Sequence, residues 1–265
     1  MKTTQEQLEM SKQASNELRV ATTEQKNNFL NKLADLLLQN NEDILLENQK
    51  DLDAAENLTK AMEKRLKLNK ELLQGMAQGL REISEGDDPI GVIEEKWKRP
   101  NGMQIGKMRV PIGVIVFVYE SRPNVIIDAA GLCIKSGNIL IARGGKEAVY
   151  SNNVLLKYIQ KALEDSGLNK DCVQQIEDRS YGALAEVVKQ DKYIDLVVPR
   201  GREKMIKSIK DNARVPVIAH ERGLCHMYID SEAKKEMAIE LAVNAKTSNP
   251  STCNTIEKIL VHKDK

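Results

Sequence analysis

Aromatic side chains are scarce in this chain, at 3% of 265 residues, and its 40 basic and 39 acidic side chains all but cancel, leaving a formal charge of +1. That balance offers no dominant basic patch to nucleic acid. No apolar run approaches the ~20 residues needed to cross a bilayer. The opening Met1-Lys2-Thr3-Thr4-Gln5-Glu6 has neither the apolar core nor the cleavage site of a signal peptide. The cysteines, four in all and widely spaced, contain no Cys-x-x-Cys pair and no Cys/His cluster, which excludes the usual zinc spacings and fits reduced thiols. The expectation is a soluble cytoplasmic protein with no metal and with neither nucleic acid nor membrane as partner.

From Thr4 to about Glu85, Leu and Ala recur at three- and four-residue spacing. The clearest stripe is Phe29, Leu30, Leu33, Leu36 and Leu37, opened by a Thr22-x-x-Gln25 capping box. Helices packed on a sheet account for this better than a free-standing bundle, because the strands that follow need covering layers. Between Trp97 and Pro111 the period changes to two around Pro100-Asn101-Gly102, the signature of a hairpin. Its exposed edges call for a partner, and a subunit contact is the expectation.

Beyond Gly113 strand and helix alternate: strands at Gly113–Tyr119, Ile139–Ala142, Val173–Ile176, Asp195–Val198, Pro216–Ala219, His226–Ile229 and Ile256–Val261. The helices between them span Val125–Ser136, Ser151–Ser166, Tyr181–Gln190, a segment ending at Asn212, and Ala233–Ala245. Continuous apolar strands suit burial on both faces, so the fold class is α/β, a Rossmann-type doubly wound parallel sheet with N-terminal helices and a protruding β-ribbon. The domain reading is 1–96 helices, 97–111 ribbon, 112–246 cofactor domain and 247–265 a nucleophile segment.

Ligands of such sheets bind beyond the carboxyl ends of strands, at helix starts. Two turns qualify, Ala142-Arg143-Gly144-Gly145-Lys146-Glu147 and Pro199-Arg200-Gly201-Arg202. Neither carries a Gly-x-Gly-x-x-Gly fingerprint, and each is open to the plainer reading of a strand-to-helix turn. Together they suit an anionic dinucleotide, whose 2′-phosphate would find Arg143 and Lys146. Among the cysteines, Cys133, Cys172 and Cys225 lie in or beside apolar runs and are expected in the core. Cys253 stands in Ser248-Asn249-Pro250-Ser251-Thr252-Cys253-Asn254-Thr255, a shaped turn, and is the candidate nucleophile.

Arg109-Val110-Pro111-Ile112-Gly113-Val114-Ile115, followed by Tyr119-Glu120-Ser121-Arg122-Pro123-Asn124-Val125, resembles the gamma-glutamyl phosphate reductase family, a branch of the aldehyde dehydrogenase superfamily. Segments 136–146, 195–201, 223–230 and 245–262 resemble it in the same order. The resemblance implies reduction of L-glutamyl 5-phosphate to L-glutamate 5-semialdehyde by NADPH with release of phosphate, the second step of proline biosynthesis. It implies Cys253 as nucleophile and Asn124 as oxyanion donor, with Arg143, Lys146, Pro199, Arg200 and Gly201 at the cofactor. Arg122 and Lys246 become candidates for the substrate's charged groups. A homo-oligomer and functional coupling to glutamate 5-kinase are further implications. Where water-activating members carry Glu-Leu-Gly-Gly-Lys, this chain has Ala219-His220-Glu221-Arg222-Gly223, which suits an enzyme with no use for a hydrolytic base. The family continues well past the position of Lys265, so the chain is expected to be an N-terminal portion with the catalytic domain largely missing. Two other readings stand beside this one: a CoA-acylating aldehyde dehydrogenase, and a noncatalytic dinucleotide-binding or assembly module.

Overall fold

Capping geometry starts the helical layer. The computed structural model describes residues 3–55, 59–219, 223–250 and 252–265. Helices α1 (Thr4–Leu18) and α2 (Thr23–Gln39) both open with reciprocal capping boxes, Thr3 with Glu6 and Thr22 with Gln25. In α2 the Thr22 hydroxyl accepts the Gln25 N–H at 3.2 Å while Gln25 Oε1 accepts the Thr22 N–H at 3.0 Å. Phe29, Leu30, Leu33 and Leu37 are fully buried, and Leu36 packs half-buried at the margin. Each buried side chain of that stripe is worth about 1.5–3 kcal/mol of apolar burial. The layer continues with α3 (Asn41–Ala54), α4 (Lys60–Leu66) and α5 (Lys70–Glu85), whose Leu73, Met76, Ala77 and Leu80 are buried as α5 packs on α2.

A ribbon follows, β1 (Ile93–Lys98) antiparallel to β2 (Gln104–Met108), with Gly102 at φ +86 in its connection. It starts at Ile93, four residues before the change of period at Trp97; Glu94, Glu95 and Lys96 lack the apolar alternation that marks a strand in sequence. Both strands are almost wholly exposed.

The central sheet is parallel, in the order β5-β4-β3-β6. In chain order it comprises β3 (Val114–Tyr119), α6 (Asn124–Lys135), β4 (Ile139–Arg143), a 3-10 turn (Lys146–Ala148), α7 (Val149–Asp165), β5 (Val173–Gln175), α8 (Tyr181–Val187), β6 (Leu196–Arg200) and α9 (Glu203–Asn212). Strand β3 is Val-Ile-Val-Phe-Val-Tyr with only Phe117 short of full burial, as a two-sided interior strand requires. Helix α1 packs against β3, β4 and β5, while α2 packs on α6 and α7. The N-terminal helices are thus a covering layer and not a separate bundle. Gly131 in α6 permits close approach of α5, since a Cβ there would lie 2.8 Å from Leu80 Cδ2. The expected strand at Pro216–Ala219 reduces to a single bridge, Val197 with Val217, flanked by a proline that cannot donate to a ladder.

The chain divides into two compact units, 1–219 and 220–265. The second is a β-α-β unit: β7 (Cys225–Ile229) and β8 (Ile256–Val261) pair in parallel, joined through α10 (Lys235–Thr247). The second unit begins ahead of β7. Helix α10 has no buried residue, and Met237, Ile239, Leu241 and Val243 are all exposed. Among the described residues no helix is long and apolar enough to cross a membrane.

Candidate active site

Register decides which side chains share the sheet edge in the first unit. Val118 of β3 stands level with Arg143 of β4 on one side and Pro199 of β6 on the other, and Tyr119 is level with Arg200. The turns after β3, β4 and β6 therefore leave the sheet at one height. The chain proceeds from β3 through α6 to β4 and β5, then returns past β3 to β6, so the β3/β6 junction is the point where the winding reverses.

The turn after β3 carries Glu120, Ser121, Arg122 and Pro123 into α6. Ser121 is the described non-glycine residue with positive φ, at +44, and it is buried. Such a conformation is held only by surrounding contacts. One of them is its hydroxyl, which donates to the Glu147 carboxylate from the neighbouring turn. Glu147 reaches back over Gly145, where a Cβ would meet its Oε1 at 2.5 Å. Asn124 is the first residue of α6, half-buried; its Nδ2 donates to Asp128 Oδ2 at 3.1 Å and it caps no backbone N–H. Arg122 lies half-buried in the same turn.

Beneath the second turn, Tyr119 is buried and donates its hydroxyl to Asn152 Oδ1 at 3.0 Å. Burial pushes the Tyr119 phenol well above its ordinary value, with Arg179 opposing weakly. Gly144 lies on this pair; a Cβ would meet Asn152 Nδ2 at 2.3 Å and the Tyr119 ring at 3.2 Å. Arg143 is buried, its guanidinium donating to the Arg179 carbonyl, while Lys146 is exposed. The start of α7 is occupied from within: Asp51 of α3 accepts the Tyr150 N–H at 3.0 Å, the Ser151 N–H at 2.8 Å and the Ser151 hydroxyl at 2.6 Å. No sequence pattern points to that pairing, about 100 residues apart.

At the third turn Arg200, Gly201 and Arg202 are exposed. Gly201 lets the turn close, since a Cβ would meet Met205 Cε at 2.4 Å and Glu120 Cδ at 2.9 Å. Glu120 accepts the Arg202 N–H at 3.2 Å and stands 3.4 Å from Arg202 Nε. The glycine-closed turns, with Lys146, Arg200 and Arg202 exposed at one edge, fit a phosphate-bearing dinucleotide.

Cys253 and Lys246 belong to the second unit. Cys253 is exposed, in a turn organised by the Asn249 carbonyl, which accepts from the Thr252 hydroxyl at 2.8 Å and the Thr255 hydroxyl at 2.7 Å. Lys246 donates from Nζ to the Ile256 carbonyl at 2.9 Å, tying the last turn of α10 to β8. Cys133 and Cys172 are buried as expected, and burial pushes each thiol up to about 12. Cys225 departs from the expectation of a core role. It is half-buried at the start of β7, and its thiol donates to the Cys253 carbonyl at 3.6 Å. The two-stranded sheet cannot enclose it. His220 and Glu221 lie outside the described residues. Among the described residues no three His, Cys, Asp or Glu side chains gather as metal ligands.

Residues 2–265 match the model of the aldehyde dehydrogenase family. The chain belongs to the aldehyde dehydrogenase family. Within that family it is 47% identical over 256 residues to gamma-glutamyl phosphate reductase of Francisella philomiragia and 45% identical over 256 residues to that of Petrotoga mobilis. Each alignment covers 96% of this chain and 62% of the relative, so the chain spans under two thirds of the length of these curated relatives. The crystal structure of gamma-glutamyl phosphate reductase from Thermotoga maritima superposes with a TM-score of 0.91 at 35% identity, covering 98% of this chain and 63% of that one. The aldehyde-dehydrogenase-like fold and the partial span agree with the expectation from sequence.

Proposed function

We propose that the protein acts as an NADPH-dependent glutamate-5-semialdehyde dehydrogenase of the phosphorylating type, reducing L-glutamyl 5-phosphate to L-glutamate 5-semialdehyde and phosphate in proline biosynthesis. The observation that carries this reading is Cys253, an exposed thiol in a polar turn, in a chain whose Cys133 and Cys172 are buried with thiols raised to about 12. A thiol that solvent and substrate can reach is intrinsically nucleophilic as its thiolate. Its thiolate attacks the acyl carbon, the carbon–sulfur bond forms, the bond to the phosphate oxygen breaks, and phosphate leaves. Asn124 is assigned the oxyanion donor, its amide released from Asp128 to meet the developing negative charge. Arg143, Lys146 and the Pro199-Arg200-Gly201 turn are assigned to the cofactor, Lys146 near the 2′-phosphate. Bound NADPH would supply the hydride that reduces the acyl group, after which the carbon–sulfur bond breaks, the aldehyde leaves and the Cys253 thiolate is regenerated. Arg122 and Lys246 are assigned to the substrate's charged groups, and the exposed β1–β2 ribbon to a contact between subunits. The names and identities of the relatives support this assignment.

The test runs the reaction in reverse, with glutamate semialdehyde, phosphate and NADP⁺, using this chain, Cys253→Ser, and the Thermotoga maritima enzyme as a positive control. NADPH formation that requires phosphate and disappears in Cys253→Ser is expected. Phosphate-independent turnover, or turnover that survives Cys253→Ser, overturns the assignment.

A further inference from the structure

The second unit brings together two cysteines that lie 28 residues apart in sequence. Cys225 opens β7, opposite Ile256 of β8, and Cys253 stands three residues before that partner. The Cys225 thiol points at the main chain of Cys253, with Sγ 3.6 Å from its carbonyl oxygen. A carbonyl oxygen lies roughly 2.4 Å from its own Cα by standard backbone geometry, so Cys225 Sγ is within about 6 Å of Cys253 Cα. Cys253 is exposed, and rotation about its χ1 moves its sulfur among staggered positions without moving the backbone. Cys225 is half-buried, next to the other thiol's backbone. Cys133 and Cys172 are buried in the first unit's core, so neither competes.

We infer that Cys225 is the resolving thiol of Cys253, and that peroxide converts the pair to an intramolecular disulfide. The Cys253 thiolate attacks a peroxide oxygen and the O–O bond breaks, giving Cys253 sulfenic acid and hydroxide, with sulfur oxidised and hydrogen peroxide reduced. The Cys225 thiol gives up its proton and attacks the sulfenic sulfur; the S–S bond forms, the S–O bond breaks, and the oxygen leaves as hydroxide, which takes up that proton to become water. One peroxide is consumed and two thiols are oxidised, so the electrons balance. The disulfide protects Cys253 from irreversible oxidation to sulfinic and sulfonic acids, and a dithiol reductant restores it. If Cys253 is the nucleophile proposed above, the oxidised form is inactive and the loss is reversible. The bond itself depends only on the positions of the two sulfurs.

The protein would be treated with hydrogen peroxide, alkylated, digested without reductant and mapped by mass spectrometry, alongside Cys225→Ser and Cys225→Ala. The expected wild-type product is a Cys225–Cys253 linked peptide that disappears on treatment with dithiothreitol. In either variant the linked peptide is lost, dimedone traps sulfenic acid at Cys253, and the share of Cys253 recovered by dithiothreitol falls. Persistent dimedone-reactive Cys253 in the wild type, a Cys253–Cys253 link between chains, or unmodified Cys253 would each overturn the inference. The wild-type map decides the matter even if a variant fails to fold. A linked peptide in a protein without phosphate-dependent activity would separate this inference from the proposed function.

Discussion

Substituting Gly113 by alanine should unseat the amino-terminal end of β3, and the cost can be worked out. Gly113 has φ +129, a region essentially reserved for glycine, and a Cβ there would lie 2.1 Å from Asp195 Oδ2. That oxygen accepts the Val114 N–H at 2.8 Å and stands 3.3 Å from the Lys12 ammonium. Backbone strain costs about 1–3 kcal/mol. Displacing the carboxylate forfeits a charged hydrogen bond to a buried N–H, about 1.5–3 kcal/mol. The Lys12 pair is exposed at the lysine and half-buried at the aspartate, and adds only about 0–1 kcal/mol after screening. Gly113→Ala should therefore lose about 3–6 kcal/mol and Asp195→Ala about 2–4 kcal/mol. In the double variant no carboxylate remains to be displaced, so alanine adds only the strain and the total stays near about 3–6 kcal/mol. Urea titration of the four proteins measures the cycle. Additive losses, with the double variant near the sum of the singles, would show that the clash with Asp195 is not what Gly113 avoids.

Lys146→Glu should weaken NADPH about tenfold while leaving NADH nearly unchanged, read by fluorescence titration; equal effects would remove Lys146 from the 2′-phosphate. Glu120→Gln takes a negative charge from the Arg202 N–H at the start of α9, and NADPH should bind about two- to fivefold tighter; unchanged or weaker binding would contradict an anion position there. Burial pushes the Asp88 carboxyl up, but the Lys26 ammonium, Thr23 hydroxyl and Ile90 N–H outweigh it and hold it below the usual carboxylate value. Its stabilisation is thus fully present above the unfolded value near about pH 4 and is lost as pH falls through the lower folded value. Asp88→Asn, which leaves Lys26 buried without its counterion, should cost about 3 kcal/mol at neutral pH, with the two stability curves converging on acidification. Iodoacetamide should alkylate Cys253 first and Cys133 and Cys172 only on unfolding; native-state labelling of Cys133 would refute its burial.

Local sequence determined a good deal. The capping box at Thr22, the stripe from Phe29 to Leu37, the Asn101-Gly102 turn and the apolar runs of β3, β4 and β6 depend on neighbours within a few residues, so their order along the chain was legible. The polar turn around Cys253 was legible for the same reason, since its hydroxyls bond within six residues. Where the local pattern was weak, as in the charged strand Ile93–Lys98, the boundary was missed. What only tertiary structure decided are the pairings of distant groups. Arg143 turns inward to the Arg179 carbonyl, Asp195 sits under Gly113, Glu120 holds Arg202, Asp51 occupies the start of α7, and the Cys225 thiol faces Cys253. Each is a polar or charged group that must find a partner once the sheet and helices close around it. Which partner it finds depends on which strands become neighbours, and that is settled only when the whole fold forms.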